Sequence, residues 1–121
     1  MALVFIIEDN EQNLYLEKYL LEKNGYDVEF ATNGFEGLRK LENIFPDLIL
    51  LDIQLPQMDG YEVAKRIRIM EKHKNTAIVA VTSYAMAGDK EKALESGCNG
   101  YIEKPINPET FISEIEKFRK K

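Results

Sequence analysis

The sequence predicts an α/β domain built as a doubly wound, five-stranded parallel sheet. Three observations carry this. Five short apolar runs alternate with five longer stretches of helical spacing. The runs at 3–7, 48–51 and 77–81 are continuous and rich in Val, Ile and Leu, as strands covered on both faces require. Residues that cap or stop helices (Asn33, Gly25, Pro46, Gly97, Pro108) fall between the runs and not inside them.

The elements follow in order. The first strand is 3–7. A helix over 11–24 places Leu14, Leu20 and Leu21 inward and stops at Gly25. The second strand is 27–31. Asn33 caps a second helix carrying Phe35, Leu38 and Leu41, which ends before Pro46. Asp47 turns the chain into the third strand, and Asp59-Gly60 starts a third helix with Tyr61, Ala64, Ile67 and Ile69. His73, in the polar stretch 71–76, reads as a surface histidine. After the fourth strand, a fourth helix over 88–96 turns Ala93 and Leu94 inward, with Gly97 as its stop. Tyr101-Ile102 is the fifth strand. Pro108 sits in the first turn of a last helix carrying Phe111, Ile112, Ile115 and Phe118, and the basic end 119–121 suits that helix's dipole.

Bulk properties narrow the function. The chain has 121 residues, 45% hydrophobic and 31% charged, which is one globular domain spanning 1–121. Its net charge of −5 argues against sequence-independent nucleic-acid binding, which needs basic patches. The single cysteine, Cys98, cannot form an internal disulfide and reads as a small buried residue. No apolar run approaches the roughly 18 residues that span a bilayer, and Glu8-Asp9 interrupts the opening run too early for a signal peptide. A cytoplasmic protein without a membrane association is expected.

Ligands of an open parallel sheet bind at the carboxyl ends of its strands. The first run ends in Glu8-Asp9, the third in Asp52 and the fourth in Thr82-Ser83; the fifth is followed by Lys104-Pro105. Three carboxylates, a hydroxyl and an ammonium therefore converge on one rim. Crowded carboxylates repel unless a cation joins them, and Mg²⁺ favours oxygen ligands and accepts phosphate oxygens. Lys104 offers a compact charge and Thr82 an O–H donor to a phosphoryl group. Phosphoryl transfer needs chiefly such positioning and neutralisation, and an aspartate can serve as its covalent nucleophile.

The ordered set Glu8-Asp9, Asp52, Thr82 and Lys104-Pro105, with Asp52-Ile53-Gln54-Leu55-Pro56-Gln57-Met58-Asp59-Gly60, resembles the response-regulator receiver domain over nearly the whole chain. The resemblance implies a flavodoxin-like (βα)5 fold of strand order 2-1-3-4-5. It implies Asp52 as phosphoacceptor, Mg²⁺ (or Mn²⁺) held by Glu8, Asp9, Asp52 and the Gln54 carbonyl, and phosphoryl contacts from Thr82 and Lys104. It further implies Thr82 and Tyr101 as a switch pair, a cis Lys104–Pro105 peptide, and a histidine kinase or histidine-phosphotransfer protein as donor. A downstream protein would bind the face of the fourth helix, fifth strand and fifth helix. Leu14, Tyr15, Ile106 and Pro108, expected as exposed apolar residues beside the rim, are candidates for donor docking. The acidic pair is Glu-Asp where Asp-Asp is commoner, and Ser83 stands where Ala is more usual. The segments Glu8–Asn13, Ala85-Met86-Ala87-Gly88-Asp89 and Lys104-Pro105-Ile106 look most like receivers of hybrid kinases and phosphorelays. Met1 directly before the first strand favours a free-standing receiver.

Each residue has a plainer role when taken alone. Asp52 or Glu8-Asp9 could cap helices, Thr82 could be an ordinary strand residue, Lys104 a solvated loop residue and Tyr101 core. Only their joint placement promotes them. A haloacid-dehalogenase-type phosphatase would need an acidic residue where Gln54 stands. A flavodoxin-like cofactor protein would need a phosphate loop where Glu8-Asp9 stands. The alternative that survives is a pseudo-receiver, an interaction module that is not phosphorylated. On either reading the chain is not an enzyme turning over external substrates.

Overall fold

The computed structural model describes residues 2–83 and 87–119. Met1, Tyr84, the Ala85-Met86 part of the motif above and the last two basic residues lie outside them. The described chain alternates β1 (Leu3–Ile7), α1 (Glu11–Lys23), β2 (Asp27–Ala31), α2 (Gly34–Leu41), β3 (Leu48–Asp52), α3 (Gly60–Ile69), a 3-10 turn (Glu71–His73), β4 (Ala77–Thr82), α4 (Ala87–Glu95), β5 (Gly100–Glu103) and α5 (Phe111–Glu116). The strands are parallel in the order β2-β1-β3-β4-β5.

Strand side chains alternate between the two faces, and the core divides accordingly. Phe5, Ile7, Ile49, Leu51, Ile78 and Ala80 pack with Leu41 of α2, Val63, Ala64 and Ile67 of α3 and Ala93 of α4. Val4, Ile6, Leu48, Leu50, Val79 and Val81 pack with Leu20 and Leu21 of α1 and Phe111 and Ile115 of α5. All of β3 and β4 is buried, which is why their sequences read as continuous apolar runs. The edge strand β2 shows the opposite pattern, with Asp27 and Glu29 exposed, and those charges discourage edge pairing.

Helix starts follow local chemistry. Asn10, Asn33 and Asp59 each cap a helix, their side-chain oxygens accepting from the backbone N–H of Asn13, Glu36 and Glu62. The last helix begins later than Pro108 predicts. Residues 108–110 form a turn closed by the Thr110 and Phe111 N–H groups on the Asn107 carbonyl, and α5 proper starts at Phe111.

Several expected facings are corrected. Ile69 is 81% exposed, because it lies two residues beyond the buried Ile67 and so on the opposite side of α3. Phe35 is 56% and Leu94 44% exposed; Gly34, Gly37 and Leu41 form the inner face of α2, and in α4 it is Ala93 that turns to the core cluster. His73 is fully buried and not a surface residue. The 3-10 turn folds it under the end of α2. Its Nε2 lies 2.6 Å from the Leu41 carbonyl oxygen, which can only accept, so Nε2 carries the proton and satisfies a helix-end carbonyl. Nδ1 faces the Thr76 hydroxyl at 3.3 Å, and the Phe45 ring packs alongside.

Arg68, half-buried at the end of α3, joins the loop that leads into β4 to the loop that leads into β5. Its guanidinium donates to the carbonyls of His73 (3.0 Å), Thr76 (2.6 Å) and Gly97 (2.9 Å) and to Asn99 Oδ1 (2.9 Å). Gly97 has φ +114, and a Cβ there would come within 2.6 Å of Arg68 Cγ, so glycine serves both the turn and this contact. Arg68→Ala is expected to cost on the order of 3 kcal/mol in urea unfolding, because several partly buried carbonyls lose their donor. Arg68→Lys is expected to recover less than half of that, since an ammonium cannot reproduce the planar fork. Equal stability of the Lys variant and the parent would show that charge alone suffices.

Candidate functional site

The parallel sheet brings its strand ends to one rim, and each end delivers a polar group. The Glu8 N–H continues the ladder to the Ala31 carbonyl at 3.0 Å, which carries the chain over the edge of β1. The Glu8 side chain turns inward and is 1% exposed, while Asp9 turns out to solvent. The Asn10 N–H donates to Glu8 Oε2 at 3.2 Å, so the residue that caps α1 also orients this carboxylate. β3 ends in Asp52, also buried, whose Oδ1 accepts from the Gln54 N–H at 3.0 Å. The loop beyond it is pressed onto the strand: a Cβ at Gly60 would lie 2.5 Å from the Asp52 carbonyl oxygen, so only glycine permits α3 to start here.

Thr82 closes β4 and is buried. Its carbonyl accepts from the Lys104 N–H at 2.7 Å, which extends the β4–β5 pairing and directs the Lys104 side chain over the rim. The Lys104–Pro105 peptide is cis. Lys104 Nζ stands 3.2 Å from Glu8 Oε1 and 3.3 Å from Asp52 Oδ1. One carboxylate oxygen each from Glu8, Asp9 and Asp52 lies within 4.8 Å of the others. Gln54 adds a link that its sequence position did not suggest: its side-chain Oε1 accepts from the Ser83 N–H at 2.9 Å, tying the β3 loop to the end of β4.

Charge dominates this pocket. Three carboxylates face one ammonium, so an excess of negative charge remains. Burial, with Asp52 beside it, pushes the Glu8 carboxyl up to about 7, against the pull of Lys104. Burial and Asp52 also raise Asp9. Burial by itself would lower Lys104, but the Asp52 and Glu8 carboxylates outweigh it and raise its pKa. A hard divalent cation with oxygen ligands fits such a donor set.

The remaining candidates are placed as follows. Tyr101 is half-buried on β5, and the Lys90 ammonium lies 5.5 Å from its ring centroid. Leu14 is half-buried, Tyr15 is 72% exposed and Pro108 is exposed. Ile106 does not share that exposure: at 8% it belongs to the α1–α5 core, because the chain turns inward after Pro105. Tyr15 stacks on Tyr19 with centroids 6.5 Å apart, an exposed aromatic pair on α1 that sequence reading left half-named. Glu17 was missed entirely. It is a buried glutamate of α1 beside Glu8, and its spacing from Leu14 and Leu21 was the available signal. Cys98 is buried and its thiol is pushed up to about 12, so it is inert as a nucleophile near neutrality.

The raised Glu8 pKa fixes a sign. Its ordinary value of 4.5 rises to about 7 on folding, so the folded chain favours the neutral carboxyl. That contribution is complete below pH 4.5 and disappears as pH rises through 7, at up to about 1.4 kcal/mol per pH unit. Urea unfolding in a metal chelator is therefore expected to show lower stability at pH 8 than at pH 5.5, and Glu8→Gln, which stays neutral, should reduce the difference. An unchanged pH profile in Glu8→Gln would assign the effect to other groups.

The response regulator receiver domain family matches residues 4–116. The polar-differentiation response regulator DivK of Brucella ovis is 42% identical over 115 residues, covering 95% of this chain and 94% of its own length. The chemotaxis protein CheY4 of Vibrio cholerae superposes with a TM-score of 0.93 at 30% identity, covering 98% of both chains. The receiver domain of the sensor histidine kinase PA1611 of Pseudomonas aeruginosa superposes with a TM-score of 0.89 at 31% identity, covering 97% of this chain and 96% of its own; that structure holds a magnesium ion coordinated in its active-site cleft. With the family matched from β1 through α5, this chain belongs to the response-regulator receiver domains.

Proposed function

We propose that this receiver takes a phosphoryl group onto Asp52 from a phosphohistidine of a histidine kinase or histidine-phosphotransfer protein, and that the acyl phosphate changes what the domain binds. The observation that carries this is the placement of Lys104 between Glu8 and Asp52, beside three carboxylates whose oxygens converge within 4.8 Å. Asp9, Asp52 and the Gln54 carbonyl would hold Mg²⁺, or Mn²⁺ in its place, with Glu8 acting through water. The cation, when bound, offsets the charge of the carboxylates and of the incoming phosphoryl oxygens.

The residues of the chain divide the work. An Asp52 carboxylate oxygen forms a bond to phosphorus as the P–N bond to the donor imidazole breaks; the imidazole nitrogen keeps the electron pair and takes up a proton. Lys104 turns from the carboxylates to the phosphoryl oxygens, and the Thr82 hydroxyl donates to another. Water attack on the acyl phosphate later restores the Asp52 carboxylate and releases inorganic phosphate. Tyr101, half-buried beside α4, follows Thr82 inward, and the α4–β5–α5 face shifts its population toward the form that a downstream protein prefers. The phosphodonor approaches over the rim past Leu14, Tyr15 and Pro108, of which Tyr15 is the most exposed.

Incubation with phosphoramidate and Mg²⁺ is expected to add one phosphoryl mass to the intact protein, and Asp52→Asn should abolish that gain. No gain on the parent protein, from phosphoramidate and from a phosphohistidine protein alike, would leave an unphosphorylated interaction module as the better account. For the switch, Tyr101→Ala is expected to accept phosphate at the parent rate but to bind a downstream partner with altered affinity. Equal affinities of the phosphorylated forms would remove Tyr101 from the switch.

A further inference from the structure

We propose that the open edge of β2 is a docking groove for a basic, extended segment of a partner protein, which adds to the sheet as a further strand. The inference stands apart from the function proposed above. Among the described residues β2 has β1 on one side and no strand on the other. Successive residues of a strand turn their backbone groups to opposite neighbours. The Asp27 N–H donates to the Ala2 carbonyl at 2.9 Å, and the Ala31 carbonyl accepts from the Glu8 N–H at 3.0 Å, so residues 27, 29 and 31 are directed to β1. Val28 and Phe30 therefore direct their N–H and C=O to the open side. The Phe30 carbonyl is taken by Lys40 Nζ at 2.7 Å, which leaves Val28 as the place where another strand can pair.

A groove of about 660 Å³ follows this edge. Val28, Ile44 and the 65% exposed Phe45 supply its apolar surface, and Glu22, Asp27 and Glu29 its charge. The cations nearest to it are engaged: Lys18 pairs with Glu22 at 3.1 Å, and Lys72, which lies over the Phe45 ring, donates to the Glu42 carbonyl at 2.6 Å. Asp27 and Glu29 have no ion pair among the described residues. They stand two apart on β2, so they project from the same face of the strand. A segment that alternates basic and apolar residues matches this pattern, placing its cations beside Asp27 and Glu29, their aliphatic stems against Phe45, and its apolar residues beside Val28. The same carboxylates repel a second copy of this chain, whose net charge is −5, so charge selects the occupant. Main-chain pairing would supply the attraction and the acidic flank the specificity. The groove lies at the start of β2, and Asp52 at the end of β3, so the docked segment stays clear of the phosphoacceptor.

The test is titration of an end-blocked peptide of alternating lysine and valine into the isotope-labelled protein, followed by amide NMR. The peptide is expected to shift the amides of Val28, Phe30 and Phe45. It is expected to bind about fivefold more weakly to the Asp27→Asn, Glu29→Gln double variant, which loses two exposed charge pairs while keeping the core. A peptide with glutamate for lysine should not bind, and neither should the lysine–valine peptide methylated on every backbone nitrogen, which keeps its charge and loses its donors. Equal binding of either control would overturn the inference, as would the absence of shifts on β2. Shifts confined to Glu8, Asp9 and their neighbours would assign the basic peptide to the strand-end rim and overturn it too. Self-association of the parent protein through the Val28 and Phe30 amides would give the edge to a second copy instead.

Discussion

The Lys104 ammonium stands 3.2 Å from Glu8 and 3.3 Å from Asp52, and the rim of this domain is arranged around that charge. Parallel strands end together, so a parallel sheet gathers whatever polar groups follow its strands. Here it gathers carboxylates from β1 and β3, and the cation that reconciles them comes from the far edge of the sheet. The reach depends on the Lys104 N–H pairing with the Thr82 carbonyl at 2.7 Å, which makes the lysine an extension of β5. The pocket is thus a consequence of strand order: with β1 between β2 and β3, and β4 next to β3, Glu8, Asp52 and Thr82 lie on adjacent strands.

Such a pocket stays short of charge balance in the absence of a metal. One ammonium cannot neutralise three carboxylates, and burial together with the nearby Asp52 shifts Glu8 and Asp9 toward their neutral forms. The same deficit makes the site receptive to a divalent cation and then to a phosphoryl group. The scaffold beneath has to tolerate this. The two apolar layers that sandwich β3 and β4 do so by packing, and the Arg68 fork ties the loops at the opposite end of β4.

Different physical signals were legible to different degrees. Continuous apolar runs marked β3 and β4 because both faces of those strands are covered. Asn10, Asn33 and Asp59 marked helix starts because capping is local chemistry. The rim residues were readable because they sit at the ends of those strands. Helix rotation was not. Ile69, Phe35 and Leu94 all looked inward by type and all face solvent, since a turn of 100° per residue separates neighbours on a short helix. Ile106 looked exposed and is core, because the chain beyond Pro105 bends over α5.

Sequence alone therefore determined the element order, the parallel sheet and the set Glu8, Asp9, Asp52, Thr82 and Lys104, because strand periodicity and strand-end chemistry are local properties written in consecutive residues. Only the tertiary structure decided that His73 is buried under the Leu41 carbonyl, that Gln54 bridges to Ser83, and that Glu17 is turned into the core. Those contacts join residues that are distant in the chain or are turned by a helix toward one neighbour among several, and packing alone selects the neighbour.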